Sequence, residues 1–369
     1  MYGLEVNQGP IGGLAFLRRL QRLLAEGDFT ATYKLALLNA LADLSVESEA
    51  AADGSLRVPI AAIAEKFVEY YWPQARPFRA IDGRAVVLRQ NNLSQATVIS
   101  TLIERQQSHG ALGVARASRS WRGLVQGVAR TIRTMPLWKL RRVGNDVDEF
   151  LYREAEFADD NIRLLPGVPH AFRTLHSLVL DAVRGAWIRQ IGRIAANRPL
   201  LGDADLGAFL FGSERGRLGA FAQVLRDHQR SRCLYCAREV RGAGDVDHFI
   251  AWSRYPVDLG HNLALAHPEC NSRKRDFLAH PRHVESWYSS HIERSRELAE
   301  RFEATELPYD VERTRAVAWW AYEQGERTGA HAWIERDQFV KLDQSWRNAM
   351  EKKELARVAE KEPPDYRAL

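Results

Sequence analysis

The first half of the chain carries apolar residues at helical spacing. Residues 14–26 have leucines three or four positions apart, and Gly27 follows them, which predicts an amphipathic helix. The same pattern recurs downstream and predicts helices over 31–47, 60–71 (ended by Pro73), 169–197 and 215–228. A region of this kind is expected to fold as a helical domain.

The helical pattern is interrupted between about residues 230 and 285 and then resumes. Residues 246–250 (VDHFI) are predicted to form a short strand, and an irregular loop with Pro256 and Gly260 should follow it. We expect a helix to open at Asn271, with residues 273–275 in its first turn. Helices are predicted again over 291–303, 311–326 and 338–360.

This succession of elements predicts a fold that is mainly α with a small α+β insert. We expect a helical N-terminal domain with a targeting or regulatory role over residues 1–225. The insert would occupy residues 226–290, and a helical C-terminal region would follow over 291–369. Trp319, Trp320, Trp333 and Trp346 lie in that last region at helical spacing, which is more typical of core packing than of base stacking.

All three cysteines of the protein lie in the insert. Cys233 and Cys236 form one ligand pair, and His267 and Cys270 form a second pair about thirty residues later. Two such pairs, with one histidine among four ligands, suit a closed tetrahedral zinc site. Because the cysteines all belong to this pattern, a disulfide framework is not expected.

A second group of residues in the insert offers different chemistry. Asp247 and Asn271 supply oxygen ligands of the kind that hold Mg²⁺ or Mn²⁺, and His248 supplies an imidazole that can deprotonate water. The sequence therefore predicts two metals, a structural zinc and a catalytic divalent cation.

Residues 230–285 resemble the HNH endonuclease family, whose nuclease core is called ββα-metal. The resemblance rests on VDHFI, HNL and CNSRK, together with the cysteine pairs of the zinc-stapled branch. It implies that Asp247 and Asn271 are metal ligands, that His248 is the general base, and that Asn262 holds the loop carrying the base. The second zinc pair is usually Cys-x-x-Cys in that branch, whereas here it begins with His267.

Basic residues are concentrated in two places. The net charge is +5, and no Asp or Glu occurs between Arg105 and Arg142, where Trp121 and Trp138 also lie. Such a stretch can form a nucleic-acid surface, or alternatively a solvated helix face that pairs with acids elsewhere. The residues expected to contact DNA are Arg119, Arg122 and Arg130 from this run, and Arg273, Lys274 and Arg275 beside Asn271.

Two functions are consistent with the sequence. The first is a metal-dependent DNA endonuclease, active in bacterial or antiviral defence, with protein partners from a defence system. The second is a zinc-stapled nucleic-acid-binding protein whose nuclease centre is silent. The four residues of the HNH pattern are all present, which favours the enzyme. No run of eighteen apolar residues occurs and the N-terminus lacks a signal-peptide pattern, so we expect no membrane partner and a cytoplasmic location.

Overall fold

The protein forms two compact units, Met1–Gly212 and Ser213–Leu369. A computed structural model describes residues 11–351, apart from residues 93, 155, 156, 158, 159, 213 and 214. The helix Arg215–His228 begins just after the boundary and belongs to the second unit.

The first unit is built from helices and short two-stranded sheets. Its helices are α1 Gly13–Glu26, α2 Tyr33–Glu47, α3 Ile60–Gln74, α4 Thr97–His109, α5 Leu112–Ala117, α6 Trp121–Thr134, α7 Pro136–Lys139, α8 Val168–Thr174, α9 His176–Arg193, α10 Arg198–Leu201 and α11 Leu206–Phe211. Its strands are β1 Leu56–Pro59, β2 Phe78–Arg79, β3 Ala85–Val86, β4 Arg142–Val143, β5 Asp146–Val147 and β6 Asn161–Leu164. The antiparallel pairs are β1 with β6, β2 with β3, and β4 with β5.

Helix α2 is the centre of the first unit. Every residue from Lys34 to Val46 is buried, and α3, α8 and α9 pack around the helix. The segment LALLNALADLSV is apolar on nearly all sides, which is typical of a helix enclosed by others rather than of one with a single buried face.

The few polar groups of α2 are paired inside the core. Asp43 Oδ1 lies 2.9 Å from His176 Nε2, and Asp43 Oδ2 accepts a hydrogen bond of 2.6 Å from the Tyr70 hydroxyl. Burial alone would raise the pKa of Asp43, but the hydrogen bond and charge of His176, the charge of Lys66 and the Tyr70 hydroxyl lower it to about 2. Asp43 and His176 are almost fully enclosed, so this pair stabilises the core rather than forming a site open to a substrate.

Two helix boundaries in the first unit differ from the sequence prediction. Helix α3 continues to Gln74, so Pro73 lies inside its last turn instead of ending the helix at residue 71. The predicted long helix over 169–197 is two helices, α8 and α9, with a break at Leu175. His176 follows the break directly, and its ring reaches Asp43.

The second unit combines a small hairpin, short helices and a second small sheet. Its helices are α12 Arg215–His228, α13 Pro268–Lys274, α14 Pro281–Trp287, α15 Ser295–Ala304, α16 Val311–Arg327 and α17 Ser345–Glu351, with a 3₁₀ turn Gly260–Asn262 and a π-helical turn Tyr288–Ile292. Its strands are β7 Asp245–His248, β8 Leu263–Ala266, β9 Leu278–Ala279, β10 His331–Glu335 and β11 Gln338–Lys341. Strands β7 and β8 form an antiparallel hairpin, and β9, β10 and β11 form a separate sheet in the order β11-β10-β9.

Aromatic side chains fill the core of this unit. The rings of Phe249 and Trp287 stack with their centroids 4.5 Å apart. Trp320, Trp333 and Trp346 are buried as predicted, whereas Trp319 is half-buried and contacts Trp346 edge-on. The tryptophans of the C-terminal region are therefore mainly core residues.

The C-terminal region departs from the prediction at residues 331–341. A helix was expected from residue 338, but 338–341 is strand β11, paired with β10 across a turn at Arg336 and Asp337. The pairing of β10 with β9 stabilises the extended form. Helix α17 follows, and residues 352–360 of the predicted helix lie outside the described residues.

The predicted fold class is confirmed. Of the residues that the structure describes, 56% are helical and the sheets are small, and the α+β insert contains a hairpin followed by a helix. Within the described ranges, none of the helices has the length and apolar character needed to cross a membrane.

Candidate active site and metal-binding group

Four side chains of the second unit converge into one metal-binding group. The ligand atoms of Cys233, Cys236, His267 and Cys270 all lie within 4.8 Å of one another. Cys236 Sγ is 3.2 Å from His267 Nδ1. Three thiols and one imidazole around a common centre form a Cys₃His set, which fits a tetrahedral zinc.

His267 is oriented for metal binding by a backbone contact. Its Nε2 lies 3.0 Å from the carbonyl oxygen of Glu239. The N–H on Nε2 therefore donates to that oxygen, and Nδ1 keeps its lone pair on the side of the sulfurs. A second partner of this kind fixes both the tautomer and the ring plane of a ligating histidine.

The surroundings of the Cys233 sulfur favour its thiolate form. The hydrogen bond from the Cys270 thiol is the largest influence on its pKa, and burial opposes it. Backbone N–H groups of Cys236, His267 and Tyr235 also donate toward the sulfur, and the pKa of Cys233 falls to about 4. The thiolate is the form that binds metals, so the turn favours a cation here even before one is bound.

Asp247 lies on β7 beside the metal-binding group and is held by two buried side chains. Its Oδ2 accepts a hydrogen bond from the hydroxyl of Tyr235 and lies 3.1 Å from the Nζ of Lys274. Lys274 is fully buried, and its Nζ also donates to the carbonyl oxygen of His248 over 2.8 Å. Tyr235 comes from between the two cysteines of the first ligand pair, so the metal-binding turn and the Asp247 carboxylate are in direct contact.

Asn271 lies in the middle of α13 and faces the same strand. Its Nδ2 donates to Oδ2 of Asp245 over 3.0 Å. Asp245 and Asp247 are two residues apart on β7, which directs both to one face of the hairpin. Asp245 was not among the residues singled out from the sequence, because a neighbouring carboxylate two positions from Asp247 has no distinctive spacing of its own.

Helix α13 begins earlier than predicted. It starts at Pro268, with His267 as its N-cap, because proline is favoured in the first turn of a helix. Asn271 is therefore in mid-helix, and residues 273–274 form the last turn rather than the first. The expectation that residues 273–275 lie in the first turn of this helix was wrong.

His248 ends strand β7 and contacts a carboxylate from the following loop. Its Nε2 is 2.8 Å from Asp258 Oδ1, and the ring of Trp252 packs edge-on with a centroid separation of 5.3 Å. Asp258 was also missed from the sequence, since the contact depends on the path of the loop and not on a fixed spacing.

Asn262 joins the two ends of the loop after His248 by hydrogen bonds. Its Oδ1 accepts a hydrogen bond of 2.8 Å from the backbone N–H of Ile250, and its Nδ2 donates over 3.0 Å to the carbonyl of the same residue. Its own carbonyl accepts a bond of 2.7 Å from the N–H of Phe249. These bonds fix the chain directly after His248.

The basic residues beside Asn271 have three different environments. Arg273 is half-buried and pairs with Glu269 at 3.1 Å and with Asp337 at 3.5 Å. Lys274 points inward to Asp247, whereas Arg275 is exposed and has a positive φ of 49°. The structure thus brings Lys274 into the site's interior and leaves Arg275 at the surface.

The basic run of the first unit divides into paired and unpaired residues. Arg116, Arg133 and Arg141 pair with Glu69, Asp160, Glu149 and Glu154. Arg119, Arg122 and Arg130 are exposed, and no carboxylate partner for them occurs among the residues that the structure describes. Helix α6 buries Leu124, Val125, Val128, Ala129 and Ile132 on its other face, so Arg122 and Arg130 line its solvent side. Arg122 and Arg130 also border a groove of about 560 Å³.

Other histidines of the second unit are structural. His261, His283 and His291 are buried, and burial lowers the pKa of His261 and of His283 to about 4. None of the three belongs to the metal-binding group.

Comparison with known families identifies the class of this site. The family model described as HNH endonuclease matches residues 233–277, which contain the metal-binding group, the β7–β8 hairpin and α13. The second unit therefore carries an HNH nuclease domain, and nucleic acid is its class of substrate. A second family model, described as a domain of unknown function (DUF8808), matches residues 13–207. That match spans more than half of the 369 residues, so the chain belongs to the DUF8808 family. No curated protein and no solved structure is significantly similar to the chain.

The assignment of the metal-binding group can be tested by measuring the metal content of the protein. Purified protein should contain about one zinc per chain that survives mild chelation, because a closed site with four ligands releases its metal slowly. His267→Ala should lose zinc and melt at a lower temperature, whereas His331→Ala, an exposed histidine on β10, should keep the wild-type content. Elemental analysis and thermal melting measure both effects. A protein without zinc, or a zinc-free form with the wild-type melting temperature, would contradict the assignment.

Proposed function

We propose that the protein is a metal-dependent DNA endonuclease that hydrolyses phosphodiester bonds, with His248 as general base. The observation that carries the proposal is the arrangement of Asp247, His248 and Asn271 around one hairpin and the helix that follows it. Each side chain is held by a specific partner, Lys274, Asp258 and Asp245 respectively. Fixed geometry of this kind is what a reaction centre requires.

The donor set suits a hard divalent cation. Asp247 uses Oδ2 for its contacts with Tyr235 and Lys274, and Asn271 uses Nδ2 for Asp245. Within the described chain this leaves Asp247 Oδ1 and the amide oxygen of Asn271 without hydrogen bonds, and both are oxygen donors that Mg²⁺ or Mn²⁺ prefers. When bound there, such an ion would neutralise charge on the scissile phosphate and on the departing oxygen.

The chain's own residues supply the remaining chemistry. His248 accepts a proton from water, and the resulting hydroxide forms a bond to phosphorus while the bond from phosphorus to the 3′-oxygen breaks. Asn262 keeps the chain after His248 in place, so the imidazole stays directed at the same point. Lys274 holds Asp247 by a charged contact that water does not screen.

A silent nuclease centre is the competing function. The observation that favours it is the ammonium of Lys274, which already neutralises one oxygen of Asp247. The presence of all four residues of the HNH pattern favours the active enzyme instead. A role in bacterial or antiviral defence, with partner proteins and a cytoplasmic location, is part of this proposal and rests on the use of the HNH family rather than on particular residues.

DNA contact is proposed for the exposed arginines of the first unit and for Arg273 and Arg275. Arg119, Arg122 and Arg130 are free to neutralise phosphates because acids of the described chain do not engage them. Lys274 is better assigned to the support of Asp247, since its ammonium has no exposure to solvent.

The catalytic assignment is tested by cleavage of supercoiled plasmid with purified variants. His248→Ala should lower the rate about 10²- to 10⁴-fold, the range for a positioned general base. Asp247→Asn and Asn271→Ala should also lose activity but regain part of it at raised Mg²⁺ or Mn²⁺. Asparagine is chosen at position 247 so that Tyr235 and Lys274 keep an acceptor. Asn262→Ala should lower the rate less than His248→Ala does.

His170→Ala replaces an exposed histidine of the first unit and is the control. Equal cleavage rates for His248→Ala and the wild type would refute the proposed enzyme function.

The proposed contact of Arg119, Arg122 and Arg130 with DNA is tested by the salt dependence of DNA binding. Replacing Arg119, Arg122 and Arg130 together by Ala should weaken binding and reduce the slope of log affinity against log salt by up to about three. The matched control removes three exposed arginines that carboxylates already neutralise, Arg22, Arg84 and Arg163. Both triple variants lose the same charge, so an equal response would mean that only net charge matters. Unchanged binding in the first variant would locate the DNA path elsewhere.

A further inference from the structure

The imidazole of His248 has a carboxylate partner that the proposed reaction does not otherwise use. Asp258 Oδ1 lies 2.8 Å from His248 Nε2, and the two side chains are only 15% and 11% exposed. The edge-on ring of Trp252 packs beside the same imidazole. His248 is therefore held from two directions.

The chemistry of this contact determines which nitrogen carries the hydrogen. An ionised carboxylate can only accept hydrogen bonds, so Nε2 of a neutral His248 must be the donor. Nδ1 then carries the lone pair. Among the residues that the structure describes, none forms a hydrogen bond with Nδ1, so this nitrogen remains available to a water molecule.

We propose that Asp258 is a positioning residue that keeps His248 in the Nε2–H tautomer, so that Nδ1 is the atom that takes the proton from water. The inference rests on the proposed nuclease function and extends it by one residue. In the step, an O–H bond of water breaks and an N–H bond forms at Nδ1. The proton stays on His248, and Asp258 receives none.

The loop that carries Asp258 is anchored well enough for such a role. Tyr255 is fully buried, and its hydroxyl accepts a bond of 2.9 Å from Nε of Arg313 on α16. The N–H of Val257 donates to the carbonyl of Tyr255 over 2.9 Å, and the N–H of Gly260 donates to the carbonyl of Pro308 over 3.0 Å. These bonds lie on both sides of Asp258, so its carboxylate has little freedom to leave the imidazole.

The tautomer can be measured directly in the full-length protein. Nitrogen-15 NMR of selectively labelled histidine, recorded near pH 8.5, distinguishes a protonated ring nitrogen from an unprotonated one. The His248 signals are assigned by their loss in His248→Ala. We expect hydrogen on Nε2 and none on Nδ1 in the wild type, and a mixture of tautomers in Asp258→Ala. Hydrogen on Nδ1 in the wild type would overturn the proposal, whatever the variants do.

Cleavage kinetics give the second test. Asp258→Ala should lower the rate at saturating DNA about tenfold to a hundredfold, as is typical when the partner that orients a metal-ligating histidine is removed. The DNA concentration for half-maximal rate and the zinc content should stay unchanged, and Asp258→Glu should restore part of the rate. Asp227→Ala, an exposed carboxylate on α12, is the control.

The two hypotheses fail in different ways. If His248→Ala is inactive while Asp258→Ala cuts like wild type, only the role of Asp258 is wrong. If His248→Ala itself cuts like wild type, the proposed function is wrong. If Asp258→Ala is inactive but also loses its zinc or its DNA binding, the residue acts on the fold and the positioning role is refuted.

Discussion

The four-ligand group of Cys233, Cys236, His267 and Cys270 is the constraint on which the nuclease unit depends. It joins the turn before β7 to the junction between β8 and α13. The β7–β8 hairpin has only four residues in each strand, and an isolated hairpin of that length is marginal in water. A metal held by these four side chains would cross-link both sides of the hairpin and supply the stability that its short strands lack.

The same group is connected to the proposed catalytic residues through two side chains. Tyr235 lies between Cys233 and Cys236 and donates its hydroxyl to Asp247. Lys274 follows Cys270 by one helical turn, and its buried ammonium joins Asp247 to the backbone of His248. A buried ammonium is costly unless it is paired, so Lys274 favours the conformation in which the Asp247 carboxylate and the His248 carbonyl oxygen both contact its Nζ. The metal-binding group and the proposed reaction centre are therefore joined by direct side-chain contacts.

The sequence was sufficient for features that depend on local spacing. The zinc-ligand pairs and the residues Asp247, His248, Asn262 and Asn271 could be identified because each lies within a few residues of a recognisable neighbour. Amphipathic helices such as α1 and α12 could be predicted from the three- and four-residue spacing of their apolar residues. The contacts of His248 with Asp258 and of Asn271 with Asp245 were not predictable from the sequence. The first depends on the path of the loop between β7 and β8, and the second on which face of α13 packs against the hairpin. The predicted position of Lys274 in its helix was wrong for the same reason. A shift of the start of α13 from Asn271 to Pro268 moves Lys274 from the first turn to the last and directs it to the interior.

The proposed function assigns different tasks to two metals, one to the fold of the nuclease unit and one to hydrolysis. The most direct measurement of that claim is cleavage of supercoiled plasmid by the zinc-loaded wild-type protein, with and without added Mg²⁺ or Mn²⁺. We expect that the zinc-loaded protein alone leaves the plasmid intact and that the added ion starts cleavage while the zinc content stays constant. Equal cutting in the absence of the added ion, or no cutting at any concentration of either ion, would contradict it.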